Sequence, residues 1–294
     1  MLKNHITNAL GTKKSPSTAL LPIFMHILLP AICSYFFFLQ ASQHHLLWLL
    51  SPVLTLYIGT RFRAVNNMSH ETYHNSYCSS PGSNRIYGEL LATIELSSYT
   101  TIRHEHMTHH RFLGKKGMDL DLKILDSDDY RKMPNKRSIA RCVIRGITLG
   151  HFSQTFSMSL YDPNSPMWAK ALRFIYILAI LGLTIGHPIA ALITIWIPYL
   201  YIFQIQKYWI DLIDHSGLLD NTKAVSMTRN FIINRGYLRW LFFPRNDSYH
   251  LVHHLHPLIS IEQLPAAHEI LMANEEYSVL IHSASKHMSA WWNT

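Results

Sequence analysis

At 294 residues the chain is long enough for one large domain or two small ones. Hydrophobic residues make up 48% and charged residues only 15%, which argues against an ordinary water-soluble domain. The formal charge of +8 comes without any aromatic-basic motif for nucleic acid, and Cys33, Cys78 and Cys142 are too scattered for a disulfide framework or an iron–sulfur cluster.

Residues 1–18 are polar, include Lys13-Lys14-Ser15-Pro16, and read as a flexible tail. Residues 19–40 and 45–60 carry no charge, and neither does 174–206. A membrane-spanning helix needs about 20 mostly apolar residues. The pattern predicts an all-α integral membrane protein with about four spans, at 19–40, 45–65, 171–187 and 189–206. Breaks at Gln43-His44 and His187-Pro188 fold them into two hairpins. Residues 66–170 and 207–294 form a helical cap, and the whole is read as one domain.

Neither hairpin loop contains Lys or Arg; all 26 lie at the N-terminus, in 61–173, or after 206. By the positive-inside rule both termini and the cap are cytoplasmic. The first apolar segment is long and soon followed by a second, which speaks against a cleaved signal peptide. The lack of long exterior loops and of a fused cytochrome fits a bacterial inner membrane better than endoplasmic reticulum.

Within the cap, Ser79-Ser80-Pro81-Gly82-Ser83 reads as a loop. Residues 85–103 read as one amphipathic helix, whose Glu89 and Glu95 disqualify it as a span. From Lys115 to Arg137 charges of both signs alternate, with Asp126, Asp128 and Asp129 beside Arg131 and Lys132. That is a solvated surface segment or a docking surface for a redox partner. Residues 139–160 are moderately apolar and suit the membrane interface. A helix starts at Leu264-Pro265.

Three histidine clusters dominate the chain: His70 and His74; His106, His109 and His110; and His250, His253 and His254. The last two share the spacing HxxHH, 140 residues apart (250 − 110). Positions i, i+3 and i+4 share one helical face, so each HxxHH turns three imidazoles to one spot. With 20 histidines in the chain, about 0.1 HxxHH matches are expected by chance, a false-positive level far below the two found. Eight imidazoles exceed what one tetrahedral zinc uses. They suit two metals side by side. Neutral imidazole binds iron, copper, nickel and zinc, and without an obvious ligating carboxylate iron is the redox metal of choice.

The residues around the clusters carry a resemblance. His109-His110-Arg111-Phe112-Leu113-Gly114 is followed by Asp119-Leu120-Asp121. Tyr249-His250-Leu251-Val252-His253-His254-Leu255-His256-Pro257 is followed by Leu264-Pro265-Ala266-Ala267-His268, and preceded by Asp214-His215-Ser216-Gly217. Together these resemble the membrane-bound fatty acid desaturase/hydroxylase superfamily over roughly residues 60–275. The resemblance implies two iron ions, O2 as co-substrate, and nine ligands: His70, His74, His106, His109, His110, His215, His250, His253 and His254. His215 enters by resemblance. Asp211, one helical turn before it, or Asp214 would orient a ligand or a water; Glu71 would lie beside the first pair. His104 departs from the spacing and is left out, and His256 is read as packing or as supporting a ligand. The implied activity is desaturation of an acyl chain carried as lipid, CoA ester or acyl carrier. Electrons would come from an external donor of the ferredoxin or cytochrome b5 type.

Three other readings compete. A di-iron lipid or carotenoid hydroxylase or ketolase would use the same residues, the outcome resting on substrate placement. His70-Glu71-Thr72-Tyr73-His74 also matches HExxH, in which Glu71 would serve a zinc protease as general base. That leaves both HxxHH clusters unused. A metal transporter should carry ionisable groups within its spans, and these clusters lie outside them.

Overall fold

A computed structural model describes residues 10, 15, 17–122, 131–132, 135–220, 224–233 and 235–281. The described residues are helical, without a strand. Most of the N-terminal tail, and Asp126, Asp128 and Asp129 of the charged stretch, lie outside them. The chain divides into two compact units, one of residues 14–101 and 157–206, the other of residues 1–13, 102–156 and 207–294.

The first unit contains the apolar helices. Among the described residues three helices are long and apolar enough to cross a membrane: α1 (Leu20–Ala41), α6 (Met167–Gly186) and α7 (Pro188–His215), the last reaching into the other unit. Their outward faces are aliphatic and aromatic, with Leu21, Phe36, Phe174, Ile185 and Ile189 all more than half exposed. Such a surface is costly in water and suits lipid. Both predicted hairpin breaks are present: α1 ends at Ala41, and Gly186 is separated from Pro188 by one residue.

The segment expected as the second span is a 3-10 helix, His45–Leu50, followed by α2 (Ser51–Tyr73). It does not join the three apolar helices, because α2 runs on without a break through Arg61, Arg63 and Glu71. α2 packs against the π-helical stretch Pro198–Phe203 of α7, where the Phe62 and Tyr199 rings lie 5.3 Å apart. A Cβ at Gly59 would stand 2.4 Å from Ile202, so glycine sets how closely these helices approach.

The single helix expected over 85–103 is two helices, α3 (Pro81–Ile94) and α4 (Tyr99–Phe112). α3 begins within the expected loop, with Pro81 in its first turn and Ser80 accepting from the Ser83 amide. The break at 95–98 has a local and a distant cause. Leu96 takes a left-handed conformation (φ 50°). Ser98 Oγ accepts from the Thr101 amide, and the Asp162 carboxylate accepts from the Thr100 amide and hydroxyl. A new helix N-terminus is thereby capped.

In the second unit α5 (Lys136–Ile147) carries an Asn135/Ser138 capping box and exposes Val143, Ile144 and Ile147. Arg131 pairs with Asp220 at 3.0 Å. Further along are α8 (Gly236–Phe242), α9 (His250–Leu255) and α10 (Leu264–Met272), the last with proline in its first turn as expected. Leu251 and Val252 of α9 pack with Ile259, Ile261, Leu264, Ala267 and Leu271. This core holds one face of α9 inward and commits the other to its histidines.

Candidate metal centre

Seven of the nine expected ligands lie in the second unit, on three elements. α4 carries His106, His109 and His110 in its last turns; α7 ends on His215; α9 carries His250, His253 and His254. Their ligand nitrogens fall into two groups. Those of His109, His215, His250 and His254 lie within 4.8 Å of one another, as do those of His106, His110 and His253. The groups adjoin, since His110 stacks on His254 with ring centroids 4.4 Å apart. His104 is exposed.

Facing Nε2 atoms stand close: His215 to His250 at 3.0 Å, His254 to His250 at 3.1 Å, His110 to His253 at 3.1 Å, and His109 to His254 at 3.2 Å. Two ligands at right angles on a metal with bonds of about 2.1 Å are about 3.0 Å apart. For His106, His109, His215 and His250 the rest of the ring shows which nitrogen is available. His106 Nδ1 is 2.9 Å from Asp121 Oδ2, and His109 Nδ1 is 3.1 Å from Asp119 Oδ2. His215 Nδ1 donates to the Met227 carbonyl at 3.0 Å, and His250 Nδ1 lies 3.6 Å from Asp214 Oδ2. Acceptors at Nδ1 fix the proton there and turn a bare Nε2 lone pair inward. Bare lone pairs 3.0 Å apart repel unless a cation is between them, so the donor set fits metal ions.

The electrostatics agree. Burial, followed by the charges of neighbouring imidazoles, holds His250 and His254 well below the usual histidine value and brings His110 down to about 2. These rings are neutral and ready to bind metal. Burial also lowers His106, and Asp121 opposes it. For His109 burial is outweighed by the Asp119 hydrogen bond and charge, and its pKa rises. Asp121, against the desolvation of its half-buried position, is held below the usual carboxylate range by His106.

Local structure explains how the carboxylates arrive. Gly114 (φ 72°) ends α4 and turns the chain back on itself. Asp119 then accepts from the Gly114 and Leu122 amides, each at 3.2 Å, as well as facing His109. The sequence shows Asp119 and Asp121 only as a DxD pattern, with no sign of which histidine each supports. Asn230, whose side chain accepts from the Leu251 and Val252 amides at 2.9 and 3.3 Å, caps α9 from 20 residues before it and has no local sequence signal. Asp214 is 1% exposed; Asp211 adds to the field that raises His109. His256 is buried, and His268 bonds the Tyr277 hydroxyl at 2.7 Å and packs on Tyr249.

In the first unit His70 and His74 sit at the end of α2, their rings 5.2 Å apart edge to face, with Glu71 buried between them in sequence.

The sequence is similar to those of known proteins. The chain is 29% identical over 249 residues to the dihydrorhizobitoxine desaturase of Bradyrhizobium elkanii, covering 79% of this chain and 70% of that protein. It is 26% identical over 241 residues to an endoplasmic reticulum acyl-lipid omega-3 desaturase (cytochrome b5) of Arabidopsis thaliana, covering 72% and 61%. A chloroplastic sn-2 acyl-lipid omega-3 desaturase (ferredoxin) of the same plant is 25% identical over 250 residues, covering 76% and 55%. The chain thus spans less than two thirds of the length of either plant enzyme. A model of the family described as fatty acid desaturase matches residues 21–285, and with the two histidine groups already in place the chain belongs to that family of oxidoreductases.

Proposed function

We propose that the protein is an O2-dependent di-iron desaturase that introduces a double bond into an acyl chain. The observation that carries this is the pair of adjoining imidazole groups with inward Nε2 atoms and Nδ1 atoms tied to carboxylates and a carbonyl. The ligand set is His106, His109, His110, His215, His250, His253 and His254, with His70 and His74 added on the family's sequence pattern. The family match runs across both units, which supports reading them as one functional domain.

Iron bound there supplies activation of O2 for removing hydrogen from an unactivated C–H bond. The overall conversion is –CH2–CH2– plus O2, two electrons and two protons to –CH=CH– plus two waters. The protein's own contribution is placement. Asp119, Asp121 and the Met227 carbonyl hold the ring tautomers, Asp214 stands at His250, and the His110, His250 and His254 rings take up no proton at physiological pH. Asp211 and Glu71 are assigned supporting roles near the ligands. The two electrons come from a separate donor of the ferredoxin or cytochrome b5 type, as in the names of two relatives.

A fourth span is part of this reading. The six residues His45–Leu50 rise about 12 Å as 3-10 helix, and Ser51–Thr60 about 15 Å as α-helix, close to the ~30 Å of a bilayer core. With four spans both termini share one side, the cytoplasm by the Lys and Arg distribution, and the bacterial inner membrane remains our placement.

The test is expression in a host with analysis of its lipids, alongside His109→Ala and His253→Ala. A new double bond that both variants lose supports the proposal. An oxygenated product would replace it with the hydroxylase reading.

A further inference from the structure

Asn230 caps α9 from a segment that is itself tied down on both sides. The Arg229 amide donates to the Asp214 carbonyl at 3.1 Å, and the Phe231 amide donates to the Ser248 carbonyl at 2.8 Å. With the Met227 carbonyl on His215 Nδ1, residues 227–231 run as a strap from the end of α7 to the start of α9. The strap fixes where the Asn230 backbone stands. It does not fix which way round the side-chain amide lies, and only the oxygen of that amide can accept from Leu251 and Val252.

The choice is made from the far side. Asn230 Nδ2 donates to the Tyr277 hydroxyl at 2.9 Å, and the hydroxyl lies 2.7 Å from His268 Nδ1. Tyr277 is 3% exposed, so its single hydroxyl proton needs an acceptor within the protein. Asn230 Nδ2 is a donor, which leaves His268 Nδ1 to accept. His268 then carries its own proton on Nε2. Burial, opposed by the charge of Glu269, lowers its pKa and keeps the ring neutral. The donors therefore all point one way: the Leu251 and Val252 amides to Asn230, Asn230 to Tyr277, and Tyr277 to His268. An acceptor at the His268 end orients every member back to α9, and bonds linked in such a chain strengthen one another.

Both outer members are firmly held. Asn274 Oδ1 accepts from the Tyr277 amide at 3.0 Å and caps the helical residues 275–281. The Tyr277 ring belongs to the same core as Leu251, Val252 and Leu271. His268 projects from α10 and packs on Tyr249, the residue before His250.

We propose that Tyr277 and His268 are positioning residues for the metal centre, acting through Asn230 to hold α9 and with it His250, His253 and His254. The inference rests on the metal-binding reading of those histidines and adds to it two residues that are not among the nine ligands.

The test is anaerobic Fe(II) titration of the full chain in detergent, at a temperature where circular dichroism shows each variant folded. Tyr277→Phe keeps the ring in the core and removes only the hydroxyl. Its affinity is expected to fall about tenfold, the lower end of the loss when an outer partner of a metal site is removed. Because Tyr277 acts through Asn230, the losses do not add: Tyr277→Phe costs nothing further in an Asn230→Ala background. A hydroxyl that merely stabilised the fold would give additive losses. His268→Ala weakens the site as well, and His268→Asn, whose Oδ1 stands where Nδ1 stood and accepts the same proton, restores it. Wild-type affinity in Tyr277→Phe, additive losses in the double variant, or no rescue by His268→Asn would overturn the proposal and leave the di-iron reading standing. A wild type that takes up no Fe(II) would overturn both.

Discussion

Replacing Asp119 by Asn, and Asp121 by Asn, separates two effects that a metal site usually confounds. Both carboxylates face a ligand Nδ1, at 3.1 and 2.9 Å. Losing either negative partner weakens the ligand's orientation and basicity, by experience a cost of about 10–100-fold in metal affinity. The two differ in what else they hold. Asp119 is 2% exposed, and its oxygens also accept from the Gly114 and Leu122 amides. An Asn there must turn its NH2 toward one of those donors and leave a buried N–H without an acceptor, costing about 1–3 kcal/mol. Asp121 has a side chain 27% exposed, so its new NH2 can reach water. Anaerobic titration with Fe(II) should show both variants weakened. Thermal unfolding of the metal-free forms should show only Asp119→Asn destabilised by that amount. Unchanged iron affinity in both variants would refute the assignment, and equal stability losses would refute the hydrogen-bond accounting.

Three further outcomes follow from the structure. His110, His250 and His254 are held neutral in the fold, whereas the unfolded chain takes up protons below about pH 6.5; stability is therefore lost as pH falls below that value. The unfolding midpoint of metal-free protein should drop between pH 7.5 and 5.5, and a flat profile would contradict the neutral assignment. Gly59→Ala places a Cβ 2.4 Å from Ile202 and should cost about 1–3 kcal/mol in detergent unfolding, with no loss if α2 and α7 can separate freely. Asn230→Ala uncaps α9 and should cost about 1 kcal/mol together with some iron retention, read by elemental analysis after dialysis.

The parts of this protein legible in its sequence are those written in short-range pattern. Helical spacing grouped the HxxHH imidazoles, and uncharged runs located α1, α6 and α7. Helix breaks made by distant partners were invisible. The end of α3 and start of α4 depend on Asp162, more than 60 residues away, and on a left-handed Leu96 that no glycine signals. The carboxylates behind His106 and His109 were visible as a motif but not as partners, because Gly114 must first reverse the chain. Arg61 looked like the first charge after an apolar run; its packing against His26 depends on a helix 35 residues earlier.

The inward lone pairs of the histidine groups have a consequence for the protein's life in a cell. Like ends of dipoles held about 3 Å apart, as at His215 and His250, are a point of local frustration, wound into the fold by the Met227 carbonyl and Asp214 on the outer side of the two rings. A bound cation releases that tension, and by mass action it stabilises the folded chain against the unfolded one. On the di-iron reading, iron supply would govern how long the protein lasts as well as whether it works: chelation should shorten its lifetime in a pulse-chase experiment, and a chain relieved of the tension by His250→Ala should decay at the same rate with iron or without.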